Sequence, residues 1–84
     1  MSKKQKLLLK LSNSQKNVRF DDLVLLATYL GFEIKEINGS HHQLRHPALK
    51  AQLNFQPNRD QAKTYQVRQL LKLIEELGIQ LEDE

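Results

Sequence analysis

Cysteine is absent from this 84-residue chain, which excludes disulfides, thiol nucleophiles, thiolate zinc sites and redox switching together. Long hydrophobic runs are missing as well. Leu7-Leu8-Leu9 and Leu23 to Leu26 fall far short of the ~20 apolar residues that span a bilayer, and no cleavable signal pattern opens the chain. A soluble, cytoplasmic protein with no membrane contact is expected. Negative charge is absent from Met1 to Arg19, where Lys3, Lys4, Lys6, Lys10, Lys16 and Arg19 stand alone. Positive charge is absent from the last ten residues, which hold Glu75, Glu76, Glu82, Asp83 and Glu84. The basic end suits phosphate or another polyanion, with a solvated lysine helix as the plain alternative. A chain of this length makes one domain and buries roughly 60% of its unfolded surface, so its stability should be modest.

Glycine and proline are few, and each marks a boundary between stretches of regular period. Ser2-Lys3-Lys4-Gln5 fits a capping box with Ser2 as N-cap, and Leu7, Leu8 and Leu11 line one face of the helix it opens. Ser12 to Asn17 reads as a polar loop. Asp21 is placed to cap a second helix, with Phe20 and Leu25 as a hydrophobic staple and Leu23, Leu26, Ala27 and Leu30 as its core stripe. Gly31 ends that helix in the left-handed position, and Phe32 packs back on the last turn.

From Phe32 the period falls to two. Phe32 and Ile34 alternate with Glu33 and Lys35 until Ile37 breaks the parity, which predicts a bulge or twist there. Asn38-Gly39 predicts a two-residue type I′ hairpin turn, Ser40 to His46 a second strand and Ala51 to Gln56 a third. Antiparallel pairing puts Phe32, Ile34, Leu44, Leu53 and Phe55 on a buried face. Glu33, Lys35, His41, Gln43, Arg45, Gln52, Asn54 and Gln56 fall on a polar face open to water or a ligand. Pro57 to Gln61 is a loop. Thr64 is the expected N-cap of a last helix with the stripe Val67, Leu70, Leu71, Ile74 and Leu77, ended by Gly78 with Ile79 against Ile74. An antiparallel sheet with helices on one face is an α+β fold.

All three histidines lie between Asn38 and Pro47, just beyond a turn that fixes where their strand begins, so this stretch is the candidate site. Several strings converge around it: the Leu30-Gly31-Phe32 helix end, Gly39-Ser40-His41-His42 followed by Arg45-His46-Pro47, and the closing Tyr65-Gln66-Val67-Arg68-Gln69-Leu70-Leu71 to Leu77-Gly78-Ile79 helix. In this order of elements they resemble the HicA family of mRNA interferase toxins of type II toxin–antitoxin systems. The resemblance covers about Phe20 to Leu81. It implies a fold like the double-stranded-RNA-binding domain, RNA cleavage through a histidine after the Gly-Ser pair, and neutralisation by a HicB-like antitoxin. The chain then divides into a basic N-terminal helix and linker (1–17), a HicA-like domain (18–81) and an acidic tail (82–84). It departs from the family pattern at Leu44, where members often carry an aromatic, and at Pro57-Asn58, where a histidine often follows the proline.

The chemistry can be argued from the residues alone. RNA brings its own nucleophile, the 2′-hydroxyl, so scission needs no serine, cysteine, metal or cofactor if a base removes that proton and a cation steadies the charge on phosphorus. Imidazole as a class titrates at ~6.5, and general acid–base catalysis is worth about 10²–10⁴-fold. Strand alternation sets His41 beside Gln43 and Arg45, while His42 and His46 share the parity of buried Leu44. His41 is therefore the expected base and Arg45 the phosphate clamp, with Ser40 and Gln43 as further RNA contacts. His42 is either a support or, if a bulge shifts the register, the working residue. Lys3, Lys4, Lys6 and Lys10 are expected on the RNA backbone.

His46, before Pro47 at a strand end, reads as a surface or half-buried residue with no task. It lies ~13 Å from His42 along an extended strand, too far to share one zinc ion. Tyr65 reads as partly packed and not as a platform for a base. A metal-independent ribonuclease toxin leads. A non-catalytic RNA-binding module of the same fold, or an interaction domain that kept only the scaffold, are the other readings.

Overall fold

A computed structural model describes residues 3–78 as α1 (Lys3–Asn13), α2 (Phe20–Tyr29), β1 (Glu33–Asn38), β2 (His41–Arg45), β3 (Gln52–Phe55) and α3 (Thr64–Leu77). The strands pair antiparallel as a meander, β1-β2-β3. One face of the sheet meets the helices, giving the expected α+β architecture. Leu44, Leu53 and Phe55 from that face, Leu11 from α1, Leu23 and Leu26 from α2, and Val67 and Leu70 from α3 are all fully buried. The first helix therefore shares the domain core. Ser2 and Ile79, expected to cap α1 and to close α3, lie outside the described residues.

The N-caps of the two later helices lie before the expected ones, by two residues at α2 and by one at α3, for different reasons. At α2 the N-cap position belongs to Arg19, and Asp21 sits inside the first turn with no capping bond. The Phe20 N–H donates to the Asp60 carbonyl at 2.9 Å, so the loop before α3 satisfies the first of the free donors at this helix end, and the Leu23 N–H is taken by the Arg19 carbonyl at 3.2 Å. At α3 the Lys63 carbonyl already accepts from the N–H groups of Gln66 and Val67, which makes Thr64 helical and leaves Lys63 as N-cap. The end of α2 is as expected. Gly31 has φ +100°, the Phe32 N–H donates to the Ala27 carbonyl at 3.1 Å and the Gly31 N–H to Thr28 at 3.0 Å, a Schellman stop.

Two features of the hairpin decide what reaches the helix side of the sheet. Asn38 pairs with His41, so the loop is Gly39-Ser40, with φ positive at Gly39 (+62°) and not at Ser40. This is the II′ pattern in place of the expected I′. One left-handed residue suffices for it, and Asn38 stays in the ladder. The register then slips between Ile34 and Glu36: Ile34 faces Leu44 while Glu36 faces Gln43, leaving Lys35 as the extra residue of a bulge. The broken parity at Ile37 thus originates two residues earlier, and Ile34 and Ile37 emerge on the same side as Leu44 and His42. Ile34 was expected in the core but is 43% exposed, because β1 is an edge strand that the helices do not fully cover.

Candidate functional site

Each histidine has a different environment. The tight turn brings the Ser40 carbonyl to 3.0 Å from Nδ1 of His42. A carbonyl only accepts, so Nδ1 carries the proton, and in the neutral ring Nε2 keeps a free lone pair. The ring stands edge-on to Phe20 with centroids 4.9 Å apart and is half-buried. Its anchor is itself held. The Gln56 side-chain amide donates to Ser40 Oγ at 3.3 Å. Turned so that its oxygen meets a donor and its nitrogen an acceptor, the amide of Gln66, only 2% exposed, accepts from the Gln56 N–H and donates to the Gln56 carbonyl, each at 3.1 Å. A buried glutamine on α3 thereby ties β3 to the turn that orients His42.

His46 has the opposite tautomer. The Ala48 N–H donates to its Nδ1 at 3.1 Å, so Nε2 carries the proton and donates to the Leu30 carbonyl at 3.1 Å. With its ring edge-on to Phe32 at 5.2 Å, His46 pins the end of α2 to the end of β2, a structural role that the sequence reading did not give it. His41 is exposed and, by alternation along β2, shares the open face with Gln43 and Arg45. Arg45 lies across the ladder from Glu33 and Gln52, and it lines an open cleft of about 600 Å³ together with Lys35 and Lys50.

His42 lies instead in a groove of about 550 Å³ between the start of α2, the bulged edge strand and the loop before α3. Its walls are apolar, from Phe20, Val24, Leu25, Ile34 and Ile37, and two arginines, Arg19 and Arg59, flank it with Asp21 and Asp60. Neither arginine was singled out as a site residue in the sequence. Both are remote from the histidine stretch along the chain, and only folding brings them to one groove. Leu25 also lines a second, smaller cleft of about 330 Å³ with Leu7 and Tyr29, rimmed by Lys3, Lys6 and Lys10 of α1. The Lys4 ammonium stands 5.6 Å over the Tyr29 ring, and Lys10 reaches Asp22 at 3.2 Å.

The expected site residues therefore divide. His42 and the α1 lysines belong to surfaces joined through Leu25, whereas His41, Gln43 and Arg45 lie on the open face of the sheet. Ser40 is in the turn between them. Tyr65, expected to be partly packed, is 62% exposed, because Gln66 and Val67 take the inward positions of that turn of α3.

A model of the HicA toxin of bacterial toxin–antitoxin systems matches residues 20–79, from the first residue of α2 past the end of α3. The basic helix α1 lies outside the match. No curated protein and no solved structure matches the chain. With well over half of its length inside the family match, the chain belongs to the HicA family of toxins of bacterial toxin–antitoxin systems.

Proposed function

We propose that this toxin is an endoribonuclease that cleaves mRNA without a metal ion, with His42 as the general base, and that a HicB-like antitoxin holds it in check. The observation that carries the reading is the bond from His42 Nδ1–H to the Ser40 carbonyl. It leaves an oriented lone pair on Nε2, in a groove that also presents arginine. In the reaction Nε2 takes the proton of the 2′-hydroxyl and the 2′-oxygen bonds to phosphorus. The bond to the 5′-oxygen breaks, and that oxygen takes a proton from water. The products are a 2′,3′-cyclic phosphate and a 5′-hydroxyl. His41, solvated on the open face, has no partner of this kind among the described residues, and it is the runner-up base beside Arg45.

Single-turnover cleavage of an RNA oligonucleotide tests both the mechanism and the residue. His42→Ala is expected to reduce the rate by about 10²–10⁴-fold while His41→Ala retains most of it. EDTA should leave the rate unchanged, and 2′-deoxyribose at the cut site should abolish cleavage because the nucleophile is gone. Cleavage of the deoxy substrate with linear phosphate ends would refute the mechanism. RNA binding without any cleavage by the wild type would favour the non-catalytic module.

A further inference from the structure

Positive φ occurs among the described residues at Gly31, Gly39, Gly78, Asn17 and Arg59. Glycine takes this conformation freely and asparagine tolerates it, so Arg59, at +62°, is the exception. It occupies the first loop position of a tight turn in which the Asn58 N–H donates to the Gln61 carbonyl at 2.8 Å and the Gln61 N–H to the Asn58 carbonyl at 3.1 Å. In a loop of this kind that position favours glycine. The turn is strapped to the start of α2, since the Asp60 carbonyl accepts from the Phe20 N–H at 2.9 Å and the Val18 carbonyl from the Ala62 N–H at 2.7 Å. Glycine at position 59 would close the same turn with less strain, so the backbone gives no reason for an arginine.

The side chain gives one. Arg59 lines the groove that holds His42. Asp21 and Asp60 line it too, yet the ion pairs among the described residues are Lys10–Asp22, Lys35–Glu33 and Lys72–Glu76, and the Arg59 guanidinium enters none of them. A planar fork of donors with no ion-pair partner among the described residues, held by a strained but firmly strapped turn in the groove of an oriented base, suits a phosphate. Guanidinium binds phosphate through two parallel hydrogen bonds. Strain retained at one residue is a feature of sites where a side chain must be presented to a ligand.

We infer that Arg59 is the phosphate clamp of the His42 groove: its guanidinium receives the scissile phosphate and faces the charge that develops on the non-bridging oxygens when the 2′-oxygen attacks. The assignment rests on the ribonuclease reading and moves the clamp from Arg45, on the open sheet face, to the loop before α3. An acidic surface of a protein partner is the competing ligand. RNA is favoured because Arg59 lines the same groove as His42, whose Nδ1–H bond leaves Nε2 free to accept a proton.

The test uses Arg59→Gly, Arg59→Asn and Arg59→Lys in the full chain. Cleavage is measured directly, and affinity for a fluorescein-labelled mixed-sequence single-stranded RNA is measured with each change placed in the non-cleaving His42→Ala protein. The Gly and Asn variants should keep or raise Tm, because both residues accept the left-handed conformation. They should lose about tenfold or more in affinity, and the slope of log affinity on log salt should flatten by about 0.7, one single-strand phosphate contact. Their cleavage should fall about 10²–10³-fold, as when a donor to a developing oxyanion is removed. Lysine should restore the salt slope but only part of the rate. Wild-type affinity, slope and cleavage in the Gly and Asn variants would overturn the clamp, whether or not they bind an acidic partner less well. A fall of several degrees in Tm in both would make Arg59 a folding residue and overturn it equally. If the wild type neither binds nor cuts RNA, the ribonuclease reading itself fails, an outcome distinct from loss confined to Arg59 variants.

Discussion

What a histidine does in this protein depends on which atoms its two ring nitrogens meet. His42 gives its Nδ1 proton to a turn carbonyl and keeps Nε2 bare, whereas His46 has both nitrogens engaged by backbone groups of Leu30 and Ala48. The second arrangement depends on Gly31, since a Cβ at that position would lie 2.7 Å from His46 Nε2, and φ there is +100°. Gly31→Ala is therefore expected to cost at least about 1–3 kcal/mol from backbone strain alone. His46→Ala should cost about 1–3 kcal/mol, chiefly by leaving the part-buried Leu30 carbonyl unpaired. The double variant should lose less than the sum of the two, because removing the imidazole removes the clash. Urea denaturation of the four proteins measures this coupling, and strict additivity would show that the ring and the glycine do not interact.

At the scale of elements, α1 and α3 both serve the site from a distance. α1 lies outside the family match, yet its Leu11 is fully buried in the same core as Leu23, Val67 and the inner face of the sheet. Leu11→Ala should destabilise the protein by about 2–5 kcal/mol. That is a large share of the ~4–13 kcal/mol available to a chain of this size. The exposed Lys10–Asp22 bridge between α1 and α2 contributes at most about 1 kcal/mol, so the packing of Leu11 and not that ion pair holds the helix. On α3, Gln66 occupies an inward position that an apolar residue would normally fill, and its amide bonds both backbone groups of Gln56. Gln66→Leu should lower stability by about 1–3 kcal/mol through two unpaired groups. It should also lower kcat with little change in KM, because Ser40 and His42 lose the strut behind them. An unchanged kcat in a destabilised but folded variant would confine Gln66 to structure.

At the scale of the whole molecule, the chain exposes 5743 Å² against the ~14,000 Å² of an unfolded chain of its mass, so about 60% is buried and stability has little reserve. Charge is arranged around this small core unevenly. Lys3, Lys6 and Lys10 rim a cleft that shares Leu25 with the His42 groove, and Lys4 stands over the Tyr29 ring of the same cleft. Replacing Lys3, Lys4, Lys6 and Lys10 with Gln should weaken RNA binding equally across sequences, since phosphate contacts position the strand without reading it. The salt slope should fall by about 0.7 for each phosphate that a lysine no longer neutralises, as read by fluorescence anisotropy from low to high salt. An unchanged slope would make α1 a packing element with a solvated face.

The periodicities of the chain determined its elements, because helix and strand spacing are local properties of the backbone and show in any short window. The Leu23-Leu26-Ala27-Leu30 stripe, the left-handed stop at Gly31, the three-strand meander and the closing stripe on α3 were all legible in this way, and the strings around Ser40 and Gly78 carried the family. Which histidine meets a groove was not. Alternation separates His41 from His42, but it assigns His42 the parity of a core residue, and burial was expected to follow parity. The fold breaks that link at one edge: the bulge at Lys35 and the short reach of the helices leave Ile34 and Ile37 uncovered and open a groove over a ring that parity alone would bury. Tertiary contacts also brought the Asp60 carbonyl to the Phe20 N–H at the start of α2 and set Arg59 in one groove with a histidine far from it in sequence. These outcomes depend on where separate segments stop relative to one another, and that relation is set only when the segments pack.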